Sequence, residues 1–434
     1  MRSRPIPPLA LLLVLGLAVG LPLALGLTSC KATPPDDPLR REPAVRIDGA
    51  ALRRFLDRAS TLAGTPAGRA TARLRERLAG CEEVVLTASP STPPTNAPAP
   101  IPSLDALACH DAHPLPKALA ERLAQIRGDA DGVLQWPVGE RGRIALRFDV
   151  DARGGLALDG ALEPDDESGA LAFLVPAAEP PAPARIDPAR TLGHLHLRSA
   201  AGTGLAALVP QGGQADRLFA LKGRLLEGAL LEGTLELAFV EPAPSGQVPL
   251  AVLALHHRAA APIEAAVAET LARLDATWSI APSPHRFGGT SGPALAGGCY
   301  ADLPLLPELA PCWVVTPEVL LVGYRAEAIE AVLDATPAVS APPTAAAASA
   351  SSSDSDSTTT STATSSPTAL ASGLVVDLER VRRLDHRLLA AQGQAPDAGP
   401  WPARLADLYA RLELRAQAAP DGAVALQGRL EARP

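Results

Sequence analysis

Arg143-Ile-Ala-Leu-Arg-Phe-Asp-Val150, then Asp151-Ala-Arg-Gly154, then a run in which Leu156, Leu158 and Leu162 recur at even spacing, is the most legible passage of this 434-residue chain. Ile144, Leu146, Phe148 and Val150 alternate with Ala145, Arg147 and Asp149. A period of two places successive side chains on opposite sides of a strand, so this pattern predicts one buried and one wetted face. The Asp-Ala-Arg-Gly step supplies the turn residues of a hairpin.

Near its C-terminal end the chain repeats the passage. Arg411-Leu-Glu-Leu-Arg415 aligns with Arg143-Ile-Ala-Leu-Arg147 at an offset of 268, and without a gap nine of the 21 positions from 143 to 163 are identical. Gly154, Leu158, Gly160 and Glu163 match Gly422, Leu426, Gly428 and Glu431. Trp136-Pro137 and Trp401-Pro402 precede the two runs. An upstream echo sets Ile47-Asp48 and Leu52-Arg-Arg-Phe55 beside Val376-Asp377 and Val381-Arg-Arg-Leu384. Each reads as a strand end feeding a helix that starts at the acid. Two echoes in the same order point to an internal duplication.

Working outward, residues 45–47 read as a short strand, followed by helices through Leu78. Leu115, Leu119, Leu123 and Ile126 mark a helix over 116–127. Segments 171–175, 192–197, 224–240 and 248–256 read as strands, 262–274 as a helix, 312–315 and 319–324 as a strand pair, and 326–333 as a helix. Apart from Val339 and Leu370, residues 338–372 are Ala, Ser, Thr and Pro, with Asp354 and Asp356 the sole charges. Such a run buries too little to offset its ordering entropy, so it reads as a disordered insertion.

Composition narrows the function classes. The chain is 47% hydrophobic, 20% charged and 3% aromatic, which is globular rather than disordered. A net charge of −8 argues against a nucleic-acid partner.

At the N-terminus, Arg2 and Arg4 precede 19 uncharged residues from Leu9 to Leu27, and Leu27-Thr28-Ser29-Cys30 follows. This resembles the lipobox of bacterial lipoproteins. The resemblance implies a signal peptide over 1–29, acylation of Cys30, and anchoring of the chain in the membrane through those lipids. An uncleaved transmembrane anchor and a cleaved secretory signal are the competing readings, since 19 apolar residues just suffice to span a bilayer. Lys31, rather than Asp, after the Cys implies the outer membrane, facing the periplasm. Cleavage would remove two Arg and no acid, leaving 37 basic against 47 acidic residues and a charge of −10. The Leu320-Leu-Val-Gly-Tyr324 and Leu374-Val-Val-Asp377 segments resemble envelope lipoproteins of high-GC bacteria that carry a domain of unknown function. That resemblance supplies no activity.

Four further cysteines remain: Cys81, Cys109, Cys299 and Cys312. An even number in an oxidising compartment suggests disulfides, with three pairings possible. The local one, Cys81 with Cys109 and Cys299 with Cys312, brackets a Pro-rich segment in each case.

These patterns together predict an α+β protein of two related halves, each an antiparallel sheet with one face covered by helices. The expected boundaries are a tether over 30–44, a first half over 45–245 and a second half over 246–434 that contains the 338–372 insertion.

Candidate chemistry is sparse. Cys109-His-Asp-Ala-His113 is the densest ligand cluster, but it abuts an expected disulfide. His194 and His196, two apart on a strand, share a face; with no third donor evident they read as exposed strand histidines rather than a metal site. His256 and His257 point to opposite faces. Gly202-Thr-Gly204-Leu-Ala-Ala207 lacks the βαβ context of a dinucleotide site. Gly289-Thr-Ser-Gly292 is no nucleophile elbow. Asp165-Asp166-Glu167 has too few oxygens for calcium. No catalytic constellation, metal or cofactor is therefore expected. The expected role is non-enzymatic, structural or binding an envelope protein partner. The alternative is a periplasmic carrier holding a lipid or acyl chain between sheet and helices.

Overall fold

The computed structural model describes residues 44–60, 66–87, 107–138, 142–163, 184–198, 231–242, 250–288, 294–300, 310–335, 372–391, 393, 406–418 and 423–434. The lipobox with Cys30, strand 171–175, the Gly202–Ala207 run, the Asp165–Glu167 turn, Gly289–Gly292 and Trp401-Pro402 lie outside them, as does all of the low-complexity run except Ser372.

Among the described residues sixteen strands and six α-helices are formed. The strands are β1 (Ala44–Asp48), β2 (Glu83–Thr87), β3 (Leu107–Cys109), β4 (Gly132–Val138), β5 (Gly142–Val150), β6 (Leu156–Glu163), β7 (Gly193–Arg198) and β8 (Leu231–Val240). They continue with β9 (Leu250–His257), β10 (Ser283–Phe287), β11 (Leu295–Cys299), β12 (Cys312–Val315), β13 (Val319–Gly323), β14 (Ser372–Asp377), β15 (Tyr409–Ala418) and β16 (Val424–Ala432). The helices are α1 (Gly49–Ser60), α2 (Pro66–Arg77), α3 (Lys117–Arg127), α4 (Ala260–Trp278), α5 (Ala326–Ala335) and α6 (Leu378–Ala391).

The expected pair of separate α+β halves is not what forms. All sixteen strands belong to one sheet, in the order β10-β11-β12-β13-β9-β8-β7-β14-β15-β16-β6-β5-β4-β1-β2-β3. Every pairing is antiparallel. The reason is edge satisfaction. A hairpin such as β15–β16 carries a row of unpaired amides and carbonyls along each outer side, and these are costly unless another strand meets them. Here β16 pairs with β6 from Val424↔Leu162 to Leu430↔Leu156, and β14 pairs with β7 from Gly373↔His196 to Val376↔Gly193. The C-terminal strands thus weld the first part of the chain to its middle.

Helices also cover both sheet faces rather than one. On one face, α1, α2 and α6 lie over Val45, Leu134, Ile144, Leu146, Leu162, Leu412 and Leu430 in a single core. Ile263 of α4 packs on Leu320 farther along the same face. On the opposite face, α3 sets Leu119 and Leu123 against Val85 and Val133 at one end. There α5 sets Ala328, Ile329 and Val332 against Ala254, Val314 and Leu321 towards the other. Between these two helices that face carries exposed charges, such as Arg147 paired with Asp159 at 2.6 Å. Among the described residues no helix is long and apolar enough to cross a membrane.

The two repeated passages are both hairpins, and their registers coincide at the 268 offset. Ile144↔Leu162, Leu146↔Gly160 and Phe148↔Leu158 correspond to Leu412↔Leu430, Leu414↔Gly428 and Ala416↔Leu426. Both bury the same alternation in one core. Asp159 faces Gln427, its own counterpart, so a local twofold axis runs through the β6–β16 seam. Gly160 is required there: a Cβ would stand 2.1 Å from the Ala145 carbonyl oxygen. The upstream echo is real as local structure. Asp48 Oδ1 accepts from the Ala51 amide and Asp377 Oδ1 from the Arg380 amide, each at 2.9 Å, so each acid caps its helix. Their strands hold different places in the sheet, since β14 lies against β15 whereas β1 is separated from β5 by β4.

The cysteines pair locally. Cys81 and Cys109 stand at disulfide distance with Cα atoms 5.2 Å apart, and Cys299 and Cys312 likewise with Cα atoms 4.0 Å apart.

Burial sets the expected ranking of core mutations. Leu158→Ala, at a buried site, lowers stability by about 2–5 kcal/mol in urea denaturation. Leu426→Ala, at its half-buried counterpart, lowers it less. Arg147→Ala, about half exposed in its ion pair, changes it by less than about 1 kcal/mol. A larger loss at Arg147 than at Leu158 contradicts the assigned inward face.

Candidate functional site

The chemistry-bearing side chains that the fold brings together lie on neighbouring strands β7, β8 and β9. Cross-strand partners share a face, so His196 on β7, Glu236 on β8 and Ala254 on β9 form one row. His194 and His256 lie diagonally to either side of Glu236. A register shift between Leu231 and Leu235, with Gly233 at φ 78°, marks a bulge in β8 just before Thr234.

Glu236 is the hub. Its side chain is 0% exposed. His194 donates from Nε2 to Oε2 at 2.8 Å, and His256 donates from Nε2 to Oε1 at 2.5 Å. The backbone amides of Arg185 and Ile186 donate to Oε1 at 2.8 Å and to Oε2 at 3.1 Å. An ionised carboxylate only accepts, so each imidazole bears a proton on the Nε2 that faces Glu236. Burial alone would raise the Glu236 pKa. The hydrogen bonds from His194, His256 and the Arg185 amide outweigh it and hold the carboxyl well below the usual carboxylate range.

His196, 2% exposed, lies directly across from Glu236. Neither of its ring nitrogens is hydrogen-bonded to the protein. Burial, reinforced by His194, His256 and Arg198 and opposed by Glu236, lowers its pKa to about 4, so the ring is neutral at pH 7. Arg198 and Thr234 extend this buried polar strip, and the Arg198 amide donates to Ser372 Oγ of β14 at 3.0 Å.

The segment 185–190 crosses this face before entering β7. Ile186 is buried with the α5 core, and Arg185 pairs with Glu318 at 2.8 Å. One carboxylate therefore ties together three strands and the segment that overlies them. Its acceptor sites are filled from inside the protein, so it orients two imidazoles but cannot take a proton from a substrate.

The sequence reading placed His194 and His196 on one face, which they share. It expected them to be exposed, and here the structure corrects it: they are 1% and 2% exposed, in a row of buried polar side chains with Glu236, whose carboxylate is capped by the Arg185 and Ile186 amides. Glu236 and the role of His256 were missed. The available signal was a lone acid in the apolar run Leu235-Glu-Leu-Ala-Phe-Val240, facing an H-x-H strand. His110 and His113 sit on the turn after β3, where the Ala112 and His113 amides donate to the Cys109 carbonyl. Among the described residues no group of three His, Cys, Asp or Glu is arranged to hold a metal ion.

On the same sheet face a cleft of about 420 Å³ opens beside α3, lined by Arg127, Asp129, Arg147, Asp149 and Asp159 among others. Its lining is charged and largely ion-paired: Arg147 meets Asp159, and Arg127 meets Glu83 at 2.7 Å. Glu83 also accepts from Arg46. Burial would raise its pKa, but the two guanidinium groups outweigh that and lower it.

Comparison with known proteins adds no relative: no protein-family model, no curated protein and no solved structure matches the chain.

Two outcomes test the hub. Glu236→Gln keeps the volume but removes the charge and one acceptor, and lowers stability by about 3–5 kcal/mol, as when a buried pair is broken. A loss below about 1 kcal/mol contradicts the clasp. The second concerns pH. His196 titrates near 4 in the folded protein against 6.5 unfolded, so the unfolded chain binds more protons between those values. The stability owed to its neutral form is complete above pH 6.5 and lost as pH falls towards 4, a swing of at most about 3 kcal/mol. Denaturation midpoints measured across that window flatten in His196→Gln; an unchanged pH profile rejects the assignment.

Proposed function

We propose that this chain is a lipid-anchored envelope protein whose body is a rigid platform with a structural or partner-binding role. The observation that carries the reading is the state of Glu236. The most elaborate cluster of ionisable groups among the described residues spends its carboxylate wholly on internal hydrogen bonds, at 0% exposure. That is the arrangement of a clasp between strands, not of a group waiting for a substrate. The paired cysteines fit an oxidising compartment, which the Leu27-Thr-Ser-Cys30 lipobox also implies.

The anchor and the role are tested separately. Cys30→Ala abolishes incorporation of a fatty-acid probe and leaves a precursor that keeps residues 1–29; unchanged labelling defeats the lipoprotein reading. Native mass spectrometry of the gently extracted protein then shows the acylated chain without additional lipid. A stoichiometric co-purifying lipid replaces the structural role with that of a carrier.

A further inference from the structure

The strand order holds a feature that neither the anchor nor the hub explains. β6 and β7 are consecutive in sequence, yet β14, β15 and β16 stand between them. With segment 372–434 in place, the facing edges of β6 and β7 therefore stand three strands apart, and the gap between them is the slot. The C-terminal segment fills it. Within the segment, β15 is hydrogen-bonded to both β14 and β16, so it is a three-stranded unit with two outer edges of its own. Those edges meet β7 and β6. Side chains fasten the fit: Tyr409 donates to the Gly154 carbonyl at 3.1 Å, and Arg58 donates to the Leu408 and Arg433 carbonyls at 2.7 and 2.5 Å. Leu412, Val424 and Leu430 complete the core beneath α1 and α2.

We propose that the slot between β6 and β7 is a docking site for segment 372–434, and that it accepts this segment from a second copy of the chain as well as from its own. Apart from the pairings inside the segment, every contact above lies between the segment and the rest of the chain, so each forms identically whichever copy donates it. The donor strand is recognised through main-chain pairing along both slot edges, with alternate side chains entering the shared core. Residues 336–371 connect α5 to β14; 36 residues span at most about 120 Å, which brings a neighbouring chain on the same membrane within reach. Insertion into the chain's own slot has the advantage of a tethered effective concentration, so exchange grows with the density of chains. It also completes the polar strip in trans, because Ser372 of the donor then meets Arg198 of the acceptor. The strand pairing itself does not depend on the lipid anchor; the placement of the neighbouring chain on the same membrane rests on the anchoring proposed above.

Asp159 and Gln427 face each other across the β6–β16 seam and supply the test. Full-length chains carrying only Asp159→Cys are co-expressed with full-length chains carrying only Gln427→Cys, and membranes are run on a non-reducing gel. The expected result is a reducible band at twice the monomer mass that requires both variants, and whose share rises with expression level. Either variant alone gives no such band, because 159 meets 427 and not itself. The double variant Asp159→Cys/Gln427→Cys closes the link within one chain and reports that the geometry permits it. Closure there with no band from the mixed singles overturns the proposal. Should the double variant fail to close, a tagged and an untagged wild-type chain are co-expressed and the tagged one is captured after solubilisation. Untagged full-length chain in the eluate supports exchange, and its absence overturns it.

Discussion

The pairing of β16 with β6 is the contact on which the rest of the architecture depends. It joins strands more than 260 residues apart through Val424↔Leu162 to Leu430↔Leu156, and a local twofold axis passes between Asp159 and Gln427. Because the pairing is antiparallel and the two hairpins share one register, their inward sets fall on the same side and merge in one core. A slip of one residue would turn Leu412, Val424 and Leu430 to the charged face, so hydrophobic burial and edge satisfaction select the same seam.

With the sheet continuous, each face has to be covered or made soluble along its whole width. One cross-strand row makes the solution visible: Val133 beneath α3, then Arg147, Asp159, Gln427 and Arg415 open to water, then Gly373, His196 and Glu236, then Ala254, Leu321 and Val314 beneath α5. Glu236 sits where the wetted part of the face gives way to the buried part. A buried carboxylate is costly unless its lone pairs are met, and here two imidazoles and two amides meet them. The clasp therefore fastens segment 185–190 over the strands as a condition of burying that charge.

Local patterns were readable where period and capping agree. The hairpin 143–163 and its repeat, helices α1, α3, α4, α5 and α6, the Asp48 and Asp377 caps and the local cysteine pairing all rest on contacts within about thirty residues. Strands such as β10, Ser-Pro-His-Arg-Phe287, and β11, Leu-Ala-Gly-Gly-Cys299, were not readable, because they carry little β-branched content and no clean alternation. Their neighbours define them. The site was half readable. H-x-H placed two rings on one face, but Glu236 becomes the hydrogen-bond partner of His194 only through the register of β7 with β8.

By itself the sequence determined the alternating faces of the hairpins, the starts of the capped helices and the likeness of two distant passages, since each depends on spacing along the chain. Tertiary structure alone decided that the two hairpins share one sheet, that helices occupy both faces and that His194, His196, Glu236 and His256 are buried. Backbone edges carry no residue-specific label, so which strands meet is chosen by the joint satisfaction of distant amides and apolar faces, and no local pattern records that choice.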